Sequence, residues 1–174
     1  VGLQIPYSLL ERTVERELFP MAAGLGLGVM PWSPLASGVL AGKYTKAHLD
    51  IGSGTAQAAG SRKNIAAAHG ALTQRSLAIA DVVKEIAAEL GKSPSQVALS
   101  WTMLNPAVTS PILGVRTVRQ LEDNLGALDV EWNDQHRRKL ESTSAVELGF
   151  PHDFLKRDLT RQVMFAGMTI EGRP

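Results

Sequence analysis

The sequence predicts an α/β fold built on parallel strands, and three observations carry that prediction. Two short β-capable runs, Leu3 to Tyr7 and Leu27 to Met30, are separated by a segment whose apolar residues have helical spacing. A third such run, Val108 to Leu113, interrupted by Pro111, follows two further amphipathic segments. Strands joined through a helix run parallel, because an antiparallel return needs only a short hairpin.

Composition narrows the class. The chain has 174 residues, 44% hydrophobic and 20% charged, with a formal net charge of +1, the balance of a single globular domain over residues 1–174. That charge lacks the basic excess of a nucleic-acid partner, so none is expected. With no cysteine there is neither a disulfide nor a thiolate metal site, and His48, His69, His136 and His152 lack ligand spacing, so no metal is expected. No apolar run reaches the ~20 residues that cross a bilayer, and no leader pattern opens the chain. A cytoplasmic protein without a membrane partner is the expectation. The chain begins Val1-Gly2-Leu3-Gln4 without methionine, already inside a β-capable run, which reads as a processed chain or a piece of a longer one.

In the first strand, Gln4 and Pro6 are unusual for a buried position, since an amide needs partners and a proline lacks a donor. They mark a strand end near a site, or in Gln4's case a satisfied structural amide. A helix is expected near Pro20, with Leu18, Ala22 and Leu25 on one face and Gly26 past its end. The second strand then delivers the chain to Pro31-Trp32-Ser33-Pro34-Leu35-Ala36-Ser37-Gly38-Val39-Leu40-Ala41-Gly42-Lys43-Tyr44. Its prolines and glycines stop regular structure and make a shaped loop. An aromatic, hydroxyls, glycines and a lysine this close together suit a flat ring joined to phosphates. A core tryptophan followed by an ordinary turn fits the same pattern.

Residues 45 to 74 are rich in Gly, Ala, Ser and Thr without a period, as in a lid, binding loop or mobile excursion. Gly52-Ser53-Gly54-Thr55 lacks a P-loop ending, and Ser61-Arg62-Lys63 is the loop's basic cluster, of a kind usually solvated. Leu77, Ala80, Val83, Ile86 or Ala87, and Leu90 predict a helix from Ser76 to Leu90, closed by Gly91. Ser93-Pro94-Ser95-Gln96 opens the next helix as a capping box, with Trp101 on its apolar stripe as a core residue. After the third strand, Thr117 and Gln120 form another box, and that helix runs to Gly126. Its N-terminus favours an anion, Arg116 stands beside it, and Arg116, Gln120, Asp123 and Asn124 share a face; a solvated capping network is the alternative. Asn133 caps a further helix to about Ser142, and Ala145 to Pro174 reads as a tail packed along a larger body.

Taken together, Leu3-Gln4-Ile5-Pro6-Tyr7-Ser8-Leu9-Leu10-Glu11-Arg12, Pro31-Trp32-Ser33-Pro34-Leu35-Ala36 with Gly42-Lys43-Tyr44, and Pro111-Ile112-Leu113-Gly114-Val115-Arg116-Thr117 with Gln120-Leu121-Glu122-Asp123-Asn124-Leu125-Gly126-Ala127 resemble the aldo-keto reductase superfamily. The likeness is to its bacterial NADP-dependent oxidoreductase branch, related to potassium-channel beta subunits. It implies the C-terminal part, about strands 6 to 8 and their helices, of a (β/α)8 TIM barrel, with the N-terminal half absent.

The family's catalytic Asp, Tyr, Lys and His belong to earlier strands and have no counterpart here, so the resemblance implies no catalytic residue in this chain. It implies a site for NADP. Gln4 would hold the nicotinamide carboxamide and Trp32 would stack on the ring. Ser33, Pro34, Leu35, Ala36, Ser37, Lys43 and Arg62 would surround the pyrophosphate. Gly114, Arg116, Gln120, Asp123 and Asn124 would hold the adenosine end, with Arg116 on a 2′-phosphate; the family usually has Glu at the position of Asp123. The implied function is the cofactor-binding half of an oxidoreductase reducing small aldehydes or ketones. The alternatives are an inactive dinucleotide-binding half-barrel serving regulation, or a non-functional truncated fragment. The missing N-terminal half, or self-association, is the expected protein partner, because three strands leave open edges and an uncovered face.

Overall fold

The computed structural model describes residues 1–49, 66, 70–166 and 168. Strand β1 (Gly2–Pro6) pairs in parallel with β2 (Gly28–Trp32), in a register that places Gln4 opposite Met30 and Pro6 opposite Trp32. Helix α1 (Leu18–Leu25) joins them and stops at Gly26, whose φ of 65° is the left-handed conformation that glycine adopts without strain. Because side chains alternate across a strand, Leu3, Ile5 and Val29 point into the core while Gln4, Met30 and Trp32 share the open face. Gln4 is therefore exposed. On α1, Phe19 and Ala22 are buried and Leu18 packs beside them, whereas Leu25, expected on the same face, is exposed.

The expected third strand forms one rung. Val108 bridges Val29 in parallel, with the Thr109 N–H donating to the Val29 carbonyl at 2.8 Å. An even parallel ladder would next use the N–H groups of Pro31 and Pro111, and proline has none. The Ile112 N–H instead donates to the Pro31 carbonyl at 2.7 Å, so the segment follows β2 as an irregular strip.

Four helices cover the core face or lead to the site: α2 (Gln74–Glu89), α3 (Pro94–Met103), α4 (Val118–Leu125) and α5 (Asp134–Ser144). Each begins with a side-chain cap. The hydroxyls of Thr73, Ser93 and Thr117 and the amide oxygen of Asn133 accept from backbone N–H groups three residues on. Ile79, Val83 and Ile86 of α2 and Val97 and Trp101 of α3 meet Tyr7, Leu9, Phe19 and Leu40 in the main core. Truncating a fully buried side chain such as Ile86 to alanine costs about 2–5 kcal/mol.

A polar node ties this core to the end of β1. Arg12 stacks 5.0 Å from the Trp101 ring and donates to both carboxylate oxygens of Glu15, to Glu141 and to Ser144. Tyr7, wedged between Phe19 and Trp101, donates its hydroxyl to Glu15 at 2.9 Å. Its backbone N–H donates to the Trp32 carbonyl at 3.3 Å, so the node holds the end of β2 as well.

Past α5 lie two short helices, α6 (His152–Leu155) and α7 (Asp158–Phe165). Phe150, Phe154, Leu155, Leu159, Val163 and Met164 are exposed there, so this stretch does not bury its apolar side chains as the expected packed tail would.

Candidate functional site

The loop leaving β2 is bent by its own backbone. Ser33, Ala36 and Ser37 have φ of 55°, 46° and 55°, left-handed values that strain residues bearing a Cβ, and Gly38 at 93° and Gly42 at 73° accompany them. Three such residues cost on the order of 1–3 kcal/mol each and persist only where neighbours hold them. Here Pro34, Val39 and Leu40 are buried beneath the loop, the Ala36 N–H donates to the Ser33 carbonyl at 2.9 Å, and the Tyr44 hydroxyl donates to the Ser37 carbonyl at 3.2 Å. Strain of this kind in a loop gathers at ligand-holding segments.

Opposite this loop stands the start of α4. The Thr117 hydroxyl accepts from the Gln120 N–H at 3.2 Å, and Gln120 Oε1 accepts from the Arg116 N–H at 2.9 Å. The side chain of Gln120 thus reaches one residue beyond the cap and shapes the turn carrying Arg116. Between loop and helix lies a cleft of ≈ 670 Å³. Eight of the expected site residues line it: Leu35, Ser37, Lys43, Gly114, Arg116, Gln120, Asp123 and Asn124. They come from segments some seventy residues apart.

The remaining expected positions lie elsewhere. Trp32 and Gln4 stand on the open face of the sheet, with Trp32 45% exposed. Ser33, Pro34 and Ala36 belong to the loop without lining the cleft, and Pro34 is buried under it. Arg62 lies outside the described residues, as do Gly52 to Thr55.

Electrostatically the cleft is cationic. Lys43, Arg116 and Arg119 are exposed, and none makes an ion pair with a described residue. The N-terminus of α4, and that of α3 through Ser95, add unpaired N–H groups and positive dipole. Asn124 lines the cleft although it is only 8% exposed, so its amide is held with little freedom. Asp123, the one carboxylate lining it among the described residues, is turned toward α3: Oδ2 accepts from Ser93 Oγ at 3.0 Å and its carbonyl accepts from Gln96 Nε2 at 2.7 Å. This arrangement of cations and helix N-termini favours an anion.

Sequence reasoning left out Arg119 and Ser95, which line the same cleft. Each carried a usable signal: a second arginine one turn after Arg116, and a capping box that placed another helix start. What the sequence did not show was that the start of α3 lies against the last turn of α4, where Ser93 and Gln96 meet Asp123. Among the described residues no group of three or more His, Cys, Asp or Glu side chains is placed to hold a metal ion, and no helix is long and apolar enough to cross a membrane.

A family model described as the aldo/keto reductase family matches residues 1–145. The chain is 39% identical over 137 residues to an uncharacterized oxidoreductase, YrpG, of Bacillus subtilis (strain 168), covering 79% of this chain and 38% of that protein. It is 41% identical over 128 residues to a probable voltage-gated potassium channel subunit beta of Oryza sativa subsp. japonica, covering 73% and 38%. An aldo-keto reductase of Fusarium vanettenii, NECHADRAFT_45914, is 36% identical over 146 residues, covering 83% and 37%. The chain spans a little under two fifths of the length of these relatives.

Proposed function

Because the chain belongs to the aldo/keto reductase family, we propose that it is the dinucleotide-holding part of an NADP-dependent oxidoreductase that reduces small aldehydes or ketones. In this reading β1, β2 and the strip after α3 correspond to about strands 6 to 8 of a (β/α)8 barrel, whose functional groups gather at the C-terminal ends of strands. The observation that carries it is the cleft, which brings the strained loop after β2 against the cationic start of α4.

The residues fit the cofactor's chemistry. Trp32 offers an exposed indole face beside Gln4, whose amide matches a carboxamide. The loop from Ser33 to Ser37, with Lys43, supplies backbone and charge for the pyrophosphate, and Arg62 would join it. Gly114, Arg116, Gln120 and Asn124 hold the adenosine end, with Arg116 on the 2′-phosphate. When bound, the nicotinamide supplies a hydride to a carbonyl carbon. The residues of this chain bind and orient; the proton donor and the groups that tune it would come from the barrel's earlier strands, the partner this part requires.

A titration tests the reading. NADPH is expected to quench the fluorescence of the 174-residue chain, with most of the quench lost in Trp32→Phe and the affinity lowered in Arg116→Ala. No quench at millimolar NADPH would refute it.

The two tyrosines favour a corollary. Tyr7 donates to Glu15 and Tyr44 to the Ser37 carbonyl, and both are buried, so neither phenol stands on the open face. The chain by itself is then a nucleotide-binding unit without turnover, and NADPH oxidation by an aldehyde is expected to stay at the background rate.

A further inference from the structure

On the reading of the cleft as a nucleotide site, we propose that Asp123 is a positioning residue and not a ligand: it locks the start of α3 to α4, so that Ser95 and Arg116 face one anion. Its place on α4, three residues after Gln120 and lining the cleft, matches a ligand's place. Its contacts are a clamp's. Oδ2 accepts from Ser93 Oγ at 3.0 Å, Oδ1 from Gln96 Nε2 at 3.4 Å, and the Asp123 carbonyl from the same Nε2 at 2.7 Å.

The two donors are the side chains that start α3. The Gln96 N–H donates to Ser93 Oγ at 3.2 Å and the Ser93 N–H to Gln96 Oε1 at 2.9 Å. The cap of one helix and the junction between two are therefore one network, and moving Asp123 moves the N-terminus of α3. Gly126 makes the room, since a Cβ there would overlap the Gln96 amide. The short aspartate arm keeps its charge at this junction, where two donors neutralise it in part, so that among the described residues no carboxylate is turned toward Lys43, Arg116 and Arg119 in the cleft. A glutamate, one methylene longer, would carry the charge outward from the same backbone position.

The test uses 2′,5′-ADP as probe, titrated calorimetrically into the 174-residue chain. Asp123→Ala is expected to weaken binding about tenfold in the native background. In a Ser93→Gly/Gln96→Ala background, where the clamp has nothing to hold, the same substitution is expected to change affinity by less than about twofold. Glycine is used at position 93 because it is tolerated at an N-cap. Equal losses in both backgrounds would make Asp123 a direct ligand and overturn the proposal, as would no loss in the native one. A native chain that does not bind 2′,5′-ADP overturns the nucleotide reading itself, and this inference with it. Thermal unfolding checks each variant. Should Asp123→Ala not fold, Asp123→Asn, which keeps one acceptor, is carried through the same two backgrounds with the same criteria.

Discussion

Replacing Arg12 by methionine keeps most of the side chain's length and removes its charge, which isolates what the buried node contributes. Burial alone would lower the guanidinium's pKa, but the hydrogen bonds and charges of Glu15 and Glu141 outweigh that and hold it above the ordinary arginine value. The two partners are unequal. Glu141 is 52% exposed, so its carboxylate returns to water and its loss costs little. Glu15 is 21% exposed and would keep only the Tyr7 hydroxyl.

Breaking a buried pair on one side costs about 3–5 kcal/mol. The water access of Glu15 puts Arg12→Met at the lower end, about 3 kcal/mol, or about 8 °C in Tm for a chain of this size. Urea unfolding followed by far-ultraviolet circular dichroism and tryptophan fluorescence measures it, with coincident curves required. Adding Glu15→Gln removes the stranded charge and is expected to recover about 1–2 kcal/mol. The reasoning fails if Arg12→Met costs less than about 1 kcal/mol, or if the second substitution adds to the loss.

Two other predictions follow from the same contacts. Burial between Phe19 and Trp101, and then the Glu15 carboxylate, hold the Tyr7 phenol well above tyrosine's ordinary value. The unfolded chain therefore loses that proton first, so the contribution of Tyr7 is complete below about pH 10 and falls above it by up to about 1.4 kcal/mol per pH unit. Tyr7→Phe is expected to flatten the decline in stability between about pH 10 and 12, and an unchanged slope in pH-dependent urea unfolding would count against it. Gly126 has an ordinary helical φ of −61°, so alanine there is harmful only through the Gln96 amide. Gly126→Ala is expected to cost about 1–3 kcal/mol in the native chain and to become neutral or stabilising in Gln96→Ala, read from thermal midpoints.

Local chemistry made much of this structure legible. Ser93-Pro94-Ser95-Gln96 announces a helix start because every residue in it has a reason to be there, and α3 begins where that motif says. Gly26 and Gly91 end helices with positive φ for the same kind of reason. Val108 to Leu113 carries its own visible interruption at Pro111, but the second missing donor, Pro31, lies across the gap on β2, and the two together leave a single rung where a strand is expected. Leu25 was misplaced because α1 is only eight residues long, and a two-turn stripe leaves its last member beyond the body it packs on.

The candidate site divides in the same way. Arg116, Gln120 and Asn124 are legible as one face of a helix, and the loop after β2 as a shaped loop; that they share a cleft is long-range information. Asp123 shows the limit most clearly. Its pattern on α4 is that of a ligand, but the deciding partners, Ser93 and Gln96, lie about thirty residues earlier, where no local reading looks.

The two prolines that spoil the third strand also decide what can attach beside it. The N–H groups of Thr109 and Ile112 point inward to β2, that of Ser110 makes a long 3.5 Å contact with the same Val29 carbonyl, and Pro111 has none. Over these four residues no backbone N–H is left for an approaching chain. Two copies of this rim bring the same deficit of donors to each other, which disfavours edge-to-edge pairing along it. A strand that does bind here has to bring the donors itself, and that requirement selects its neighbour.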